Sequence, residues 1–255
     1  MSIDSGRVYG DTIDLDGDKV KEFFNKRATD FDDRLRSRNT TVLLGDNDSE
    51  YAENWDSFEK ERVLPILDVK KTDSVLDIGC GVGRWAESLI PLCGDYTGTD
   101  LSEEMVRIAS DLFSESINSR FINASFQDIF ENDRIIGKQY QKIIIAGVSM
   151  YLNDDDLKKC YEQLDCLLAP EGIVYMEESI GTKKRLSLNN IWSDSLEDHY
   201  SAVYRTVDEY KRLLFPLTKK AQVVQDGFFS ELDKEELSET GHWFIIIRKT
   251  SNQEV

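Results

Sequence analysis

Apolar residues first recur along this chain at helical spacing. Val20, Phe23, Phe24, Ala28 and Phe31 share one face between Asp18 and about Asp33, which predicts an amphipathic helix. Trp55, Phe58, Val63 and Leu67 mark the buried side of a second helix, from about Ser49 to Leu67. Between them, Arg34, Arg36 and Arg38, then Val42-Leu43-Leu44, then Gly45-Asp46-Asn47 read as a loop or short helix. Residues 1–17 are polar and broken by Gly6, Gly10 and Gly17, the pattern of a flexible arm.

After Lys70-Lys71-Thr72-Asp73 the pattern changes to short apolar runs alternating with helical stretches. Ser74 to Ile78 reads as a buried strand, Arg84 to Leu92 as a helix and Asp95 to Asp100 as a second strand. Ser102 to Phe113 is helical with Ser102 as its N-cap. Arg120 to Asn123 is a third strand. Lys142 to Ala146 is a fourth, its Ile143-Ile144-Ile145 run typical of a strand buried on both faces. Asp154 to Leu168 is a helix stopped by Ala169-Pro170-Glu171-Gly172, and Ile173 to Glu177 is a fifth strand. Val207 to Leu214 is helical, and Ala221 to Val224 and Trp243 to Arg248 are two closing strands. The alternation predicts an α/β fold with a Rossmann-like, doubly wound, seven-stranded sheet. Residues 182–206, polar and mixed, read as a lid insertion. The expected organisation is an arm and helical cap over 1–70 and the α/β unit over 71–255, in a single structural domain.

Composition narrows the class. Hydrophobic residues at 40% and charged residues at 31% suit a globular chain and exclude a disordered one. No apolar run reaches the roughly 18–20 residues of a membrane helix, and Met1 to Gly10 lacks the apolar centre of a secretory signal, so a cytoplasmic protein without a membrane partner is expected. Cys80, Cys93, Cys160 and Cys166 form no CxxC pair, which argues against zinc and thioredoxin-like chemistry and leaves them as reduced structural thiols. The net charge of −18 repels a phosphate backbone, so a small molecule is a better partner than nucleic acid.

The most specific signal is Asp77-Ile78-Gly79-Cys80-Gly81-Val82-Gly83, at the end of the first sheet strand. Alternate glycines let the backbone turn sharply and let a ligand approach it, and the next helix presents its N–H groups there. Asp100 closes the following strand about 20 residues beyond Gly79, the interval at which a carboxylate reaches a ribose diol. A glycine loop of this kind also serves nicotinamide cofactors, so a reductase stays open on spacing alone.

With its acids in place, Asp77 to Gly83 resembles motif I of class I methyltransferases, and Thr97-Gly98-Thr99-Asp100-Leu101-Ser102 resembles the ribose-binding strand that follows. The likeness covers roughly residues 60–180. It implies S-adenosylmethionine as cofactor and S-adenosylhomocysteine as product. Gly79, Cys80 and Gly81 would border the methionine portion, with Asp77 near its amino group and Asp100 on the ribose hydroxyls. Met105 would lie beside the adenine, and Gly83, Leu101 and Gly147 complete the implied contacts. In Asn123-Ala124-Ser125-Phe126-Gln127-Asp128 relatives usually carry an acid where Ser125 stands. Ser125 still accepts a hydrogen bond, and Phe126 offers its backbone N–H.

Candidates for the transfer are less specific. Methyl transfer needs orientation, desolvation and, for poor nucleophiles, a base. Tyr151 follows the fourth strand, near the methyl in the implied pose. Glu177-Glu178-Ser179 end the fifth strand, where ligand crevices form, and Glu177 is the acid selected as catalytic. His199, in the lid, has the titration range of a base, whereas His242 reads as structural. Tyr200, Tyr204 and Arg205 cluster in the lid and, with Arg27, predict a pocket for an anionic acceptor. That cluster bears a weaker resemblance to small-molecule O-methyltransferases of phosphonate and capsule-sugar pathways. Phe23, Phe24, Phe31 and Trp55 read as core, and Tyr9 as a residue of the arm able to close over the site. The expected reaction is methyl transfer to oxygen, or else nitrogen, of a small polar metabolite. A binding module without catalysis remains the competing class.

Overall fold

The computed structural model describes residues 6–29, 39–43, 48–194, 196–229 and 239–250. Phe31, Arg34, Arg36, Arg38, Leu44 and the Gly45-Asp46-Asn47 turn lie outside the described residues.

The chain begins with β1 (Arg7–Tyr9), α1 (Gly17–Thr29), α2 (Thr40–Leu43) and α3 (Ser49–Leu67). α3 starts where the Asp48 side chain accepts the Tyr51 N–H. It stops where Asp68 turns left-handed, at φ 45°, and returns its N–H to the Leu64 carbonyl. The α/β unit follows as β2 (Ser74–Ile78), α4 (Arg84–Leu89), β3 (Asp95–Asp100), α5 (Glu103–Leu112), β4 (Ser119–Asn123), β5 (Tyr140–Ala146), α6 (Asp154–Leu167) and β6 (Leu168–Gly181). Then come β7 (Leu186–Ser193), β8 (Asp198–Tyr204), α7 (Val207–Leu213), α8 (Phe215–Thr218), β9 (Ala221–Phe228) and β10 (Thr240–Lys249).

Seven strands form one sheet in the order β4-β3-β2-β5-β6-β10-β9. The first five are parallel neighbours, and β10 runs antiparallel between β6 and β9. This is the doubly wound Rossmann-like sheet that the alternation predicts. Each face is closed by helices. Leu76, Ile78, Ile143 and Ile145 pack with Leu157, Tyr161 and Leu164 of α6. Val75, Ile144 and Tyr175 pack on the other side with Trp55 and Val63 of α3 and Trp85 and Leu89 of α4. The order reverses between β2 and β5, so their carboxyl ends splay apart and open a crevice there.

Two segments differ from expectation. The arm contributes β1, which pairs antiparallel with β7 (Val8 opposite Ser187) and is extended by the Asn189 N–H donating to the Gly6 carbonyl at 2.7 Å. Three residues carry too little periodicity to announce a strand, and β7's edge supplies the missing partner. The lid insertion is itself ordered as β7 and β8, which with β1 make a second, three-stranded sheet. Its outer residues, such as Trp192 and His199, are exposed, so the alternation is blurred. Around Ala169-Pro170-Glu171-Gly172 the chain is already in β6, with Glu171 at φ 58° beside an irregular register between Tyr140 and Lys142.

The small sheet is clamped to the start of α6 at the end where its chain enters β7 and leaves β8. Arg185 precedes β7 and donates to both Asp154 oxygens at 2.8 and 3.1 Å. Arg205 follows β8; its Nε donates to Asp154 at 2.7 Å, and its terminal nitrogens donate to the Ser149 and Leu152 carbonyls at 2.8 and 2.6 Å. Arg205 is fully buried by these contacts. Removing Asp154 takes the shared carboxylate from two buried guanidinium groups, leaving Arg185 with its longer contact to Glu209 at 3.4 Å and Arg205 with its two carbonyls. Asp154→Ala is therefore expected to cost about 3 kcal/mol, the low end for breaking a buried pair, because Asp154 itself keeps 35% of its side chain exposed. A fall in the urea midpoint at constant m-value checks this.

Candidate active site

Where β2 ends, the chain turns through the glycine loop into α4. Gly79 and Gly81 adopt φ of 72° and 54°, the left-handed region that glycine enters freely. A Cβ at Gly79 would collide with the Val148 side chain, and one at Gly81 with Val42. Gly83, at φ 88°, is the N-cap of α4. The Cys80 thiol is buried, and that burial, reinforced by the Asp77 and Asp100 charges, pushes its pKa well up and leaves it inert.

Three buried acids frame the loop. Asp100 accepts the Gly81 N–H at 2.9 Å and the Ser102 N–H at 2.8 Å, tying the loop to the end of β3. Burial raises its pKa to about 6 against those two donors. Asp77 accepts from the Tyr96 hydroxyl, and burial raises its pKa to about 7 although Tyr96 and Arg84 oppose the shift. Glu178 accepts from the backbone N–H groups of Val148, Ser149 and Met150 at 3.3, 2.7 and 3.2 Å. It thus shapes the loop after β5, and its pKa rises to about 7 through burial.

Two contiguous cavities open at the switch point. One, about 340 Å³, is bordered by Gly79, Gly81, Asp100, Leu101, Met105, Ser125, Phe126 and Gly147. Asp128 borders it too and accepts from the Ser125 N–H and hydroxyl at 3.1 and 2.6 Å. An acid thus lies at this cavity three residues beyond Ser125. The second cavity, about 520 Å³, is bordered by Asp77, Gly79, Cys80, Tyr151, Glu177, Tyr200 and Tyr204. Gly79, Ala146, Gly147 and Tyr151 line both. Gly83 borders neither.

The candidates for chemistry sort themselves by burial and partner. Glu177 and Glu178 point to opposite faces of β6; Glu177 faces the larger cavity. Tyr151, Tyr200 and Tyr204 join through their hydroxyls, 3.0 Å between Tyr151 and Tyr200 and 3.3 Å between Tyr204 and Tyr200. Burial raises all three phenol pKa values, which keeps them as neutral donors. His199 is exposed opposite Trp192 and borders neither cavity. Arg27 donates to the Thr40 and Thr41 carbonyls, and Arg205 sits in the Asp154 clamp, so the structure does not bring the two arginines together around a pocket. Tyr9 donates to Glu239 from β1. Two residues that read as structural border the larger cavity instead. His242 places Nδ1 2.9 Å from the Glu177 carboxylate, and Trp55 packs on the His242 ring at 4.0 Å between centroids. Nothing local marks His242 in the sequence; β10 pairing with β6 brings it in.

A model of the methyltransferase domain matches residues 75–172, the stretch from β2 into β6 that builds the glycine loop and both acids. Residues 75–172 thus resemble a methyltransferase domain. Phosphoethanolamine N-methyltransferase of Triticum aestivum is 30% identical over 146 residues, covering 56% of this chain and 28% of that protein. Ribosomal RNA small subunit methyltransferase A of Dehalococcoides mccartyi is 26% identical over 117 residues, covering 45% and 38%. The chain therefore spans well under half the length of these curated relatives. Among solved structures, phosphoethanolamine N-methyltransferase 1 of Haemonchus contortus, in complex with phosphoethanolamine and S-adenosylhomocysteine, superposes with a TM-score of 0.71 at 15% identity, over 94% of this chain and 50% of that one. At that identity the likeness shows the fold, which is that of class I methyltransferases.

The raised acids beside the glycine loop carry a stability signature. A carboxyl held above its ordinary value near 4 keeps its proton in the folded state after the unfolded chain has lost it. Its contribution is fully present below about pH 4 and is lost as pH rises through the folded values, about 6 for Asp100 and about 7 for Asp77. Asp77→Asn removes one such group. The variant should gain stability relative to the parent between pH 4 and 7, read from paired urea midpoints; a constant difference across that range would refute the assignment.

Proposed function

We propose that the protein transfers a methyl group from S-adenosylmethionine to a small molecule, releasing S-adenosylhomocysteine. The observation that carries this is the pair of contiguous cavities meeting at Gly79, Gly147 and Tyr151, one built for a nucleoside and the other walled by aromatic rings. The donor set fits the cofactor: Asp100 suits ribose hydroxyls, Met105 and Phe126 an adenine ring, Asp128 its amino group, and Asp77 an ammonium. A Cβ at Gly79 or Gly81 would collide with the Val148 or Val42 side chain, so the turn beside the cavities accepts only glycine.

S-adenosylmethionine supplies a methyl carbon activated by its sulfonium. The chain's own part is to place the acceptor beside it and keep water away. Tyr151 stands at the junction of the cavities, where its neutral hydroxyl orients an acceptor atom by donating or accepting. Leu188, Ile191 and Leu196, from the small sheet and its connection, close the acceptor side with apolar surface. With Arg205 and Arg27 engaged in the fold, an anionic acceptor loses the residues that argued for it. The acid excess of −18 also disfavours a nucleic-acid acceptor, despite the ribosomal RNA relative. Whether the acceptor atom is oxygen or nitrogen turns on what meets Glu177.

Calorimetric titration with S-adenosylhomocysteine should give saturable one-site binding, at least tenfold weaker in Asp100→Ala, with no binding of NAD or NADP. Preference for a nicotinamide would overturn the reading. Because a bound ammonium favours ionised Asp77, S-adenosylmethionine affinity should fall as pH is lowered through about 7. Asp77→Asn should flatten that part of the profile.

A further inference from the structure

We propose that Glu177, held in place by His242, is a recognition site for an amine or ammonium group of the methyl acceptor. The site presupposes the methyl-transfer reading above and assigns its substrate class.

Glu177 is nearly buried, with 5% of its side chain exposed, yet it borders the 520 Å³ cavity near the end of β6. One of its oxygens takes the His242 Nδ1–H at 2.9 Å. A carboxylate only accepts, so in this contact the proton sits on His242 Nδ1. Among the described residues no donor besides His242 is bonded to the Glu177 carboxylate, whose backbone carbonyl separately accepts the Gly147 N–H at 2.8 Å. A carboxylate with spare acceptor capacity at a cavity wall is costly to bury unless a ligand supplies N–H groups and positive charge.

The surroundings favour a cation over an anion. Trp55, Tyr51 and Trp192 border the same space, and aromatic rings attract an ammonium. The cavity's two arginines are already compensated. Arg84 is paired with Asp56 and Glu59, and Arg7 with Glu239. Glu59 from α3 and Glu178 on β6 lie close enough to Glu177 for its charge to help hold their pKa values up, so the surroundings of Glu177 are acidic. An acceptor carboxylate or phosphate would meet Glu177 with no arginine or lysine on the described cavity wall left without a carboxylate partner. An amine would exchange its hydration for the carboxylate and the rings.

His242 is a positioning residue. Its ring stacks on Trp55, and cross-strand pairing sets it opposite Ser179, so its donor is aimed by both the helical cap and the sheet.

The test uses the full chain saturated with S-adenosylhomocysteine and three probes of one shape: benzylamine, benzyl alcohol and benzoate. The parent should bind benzylamine in preference to both others by tenfold or more. Glu177→Gln should abolish that preference while leaving S-adenosylhomocysteine affinity unchanged. His242→Asn, which keeps a side-chain N–H near the Nδ1 position, should retain the preference; His242→Phe, which keeps the stack but has no donor, should lose it. Equal binding of the three probes, tighter benzoate binding, or no benzylamine binding to a chain that binds S-adenosylhomocysteine normally would overturn the site. So would a Glu177→Gln variant that loses S-adenosylhomocysteine instead of benzylamine, since the carboxylate would then serve the cofactor. Failure of S-adenosylhomocysteine to bind the parent would refute the methyl-transfer reading instead.

Discussion

The Arg84 guanidinium holds the parts of this molecule in register. It follows the glycine loop as the first residue of α4 and is buried against Asp56 and Glu59 of α3. Lys60 completes the cluster by donating to Asp56 at 2.6 Å and to the Arg84 carbonyl at 2.8 Å. Glu59 in turn accepts the Tyr175 hydroxyl from β6. One network thus joins the cofactor loop, the helical cap and the strand that bears Glu177. Burying these charges is costly, and each is tolerated because the others neutralise it and satisfy its hydrogen bonds. The arrangement is valuable for precision: α3 cannot shift along the sheet without breaking it, and α3 carries the Trp55 ring on which His242 rests.

A second set of buried polar groups shapes the loops rather than the layers. Asp100 holds Gly81 and Ser102, and Glu178 gathers three successive N–H groups after β5. Both are carboxylates turned toward backbone donors at the carboxyl ends of strands, where a parallel sheet leaves its loops least supported. The small sheet of β1, β7 and β8 is anchored by the Asp154 clamp at the amino end of α6. The acceptor side of the crevice is therefore roofed by an ordered element with its own hydrogen-bond ladder.

These placements separate residues that hold the structure from residues that face ligands. Arg205, Glu178 and Cys80 carry reactive groups but spend them inside the fold. Glu177 sits next to Glu178 in sequence and on the opposite face of β6, so one residue of register decides which acid meets the cavity. The tyrosines at 151, 200 and 204 share hydroxyl contacts at the junction and keep their protons, which suits orientation better than proton removal.

Much of this was legible along the chain, for a physical reason. Periodicity and turn chemistry are local, so the strands from Ser74 to Glu177, the helix at Ser49–Leu67, the N-cap at Ser102 and the glycine loop with Asp77 and Asp100 follow from neighbouring residues alone. The cofactor side is written in consecutive motifs because one strand-turn-helix unit and the strand after it build most of it. The larger cavity is assembled from β1, α3, β6, β8 and β10, segments far apart in sequence. No local signal says that His242 reaches Glu177, that Trp55 supports it, or that Arg205 is consumed by Asp154. Those outcomes depend on antiparallel pairing of β10 with β6 and on which side chains win the available buried partners, and only the tertiary structure decides that.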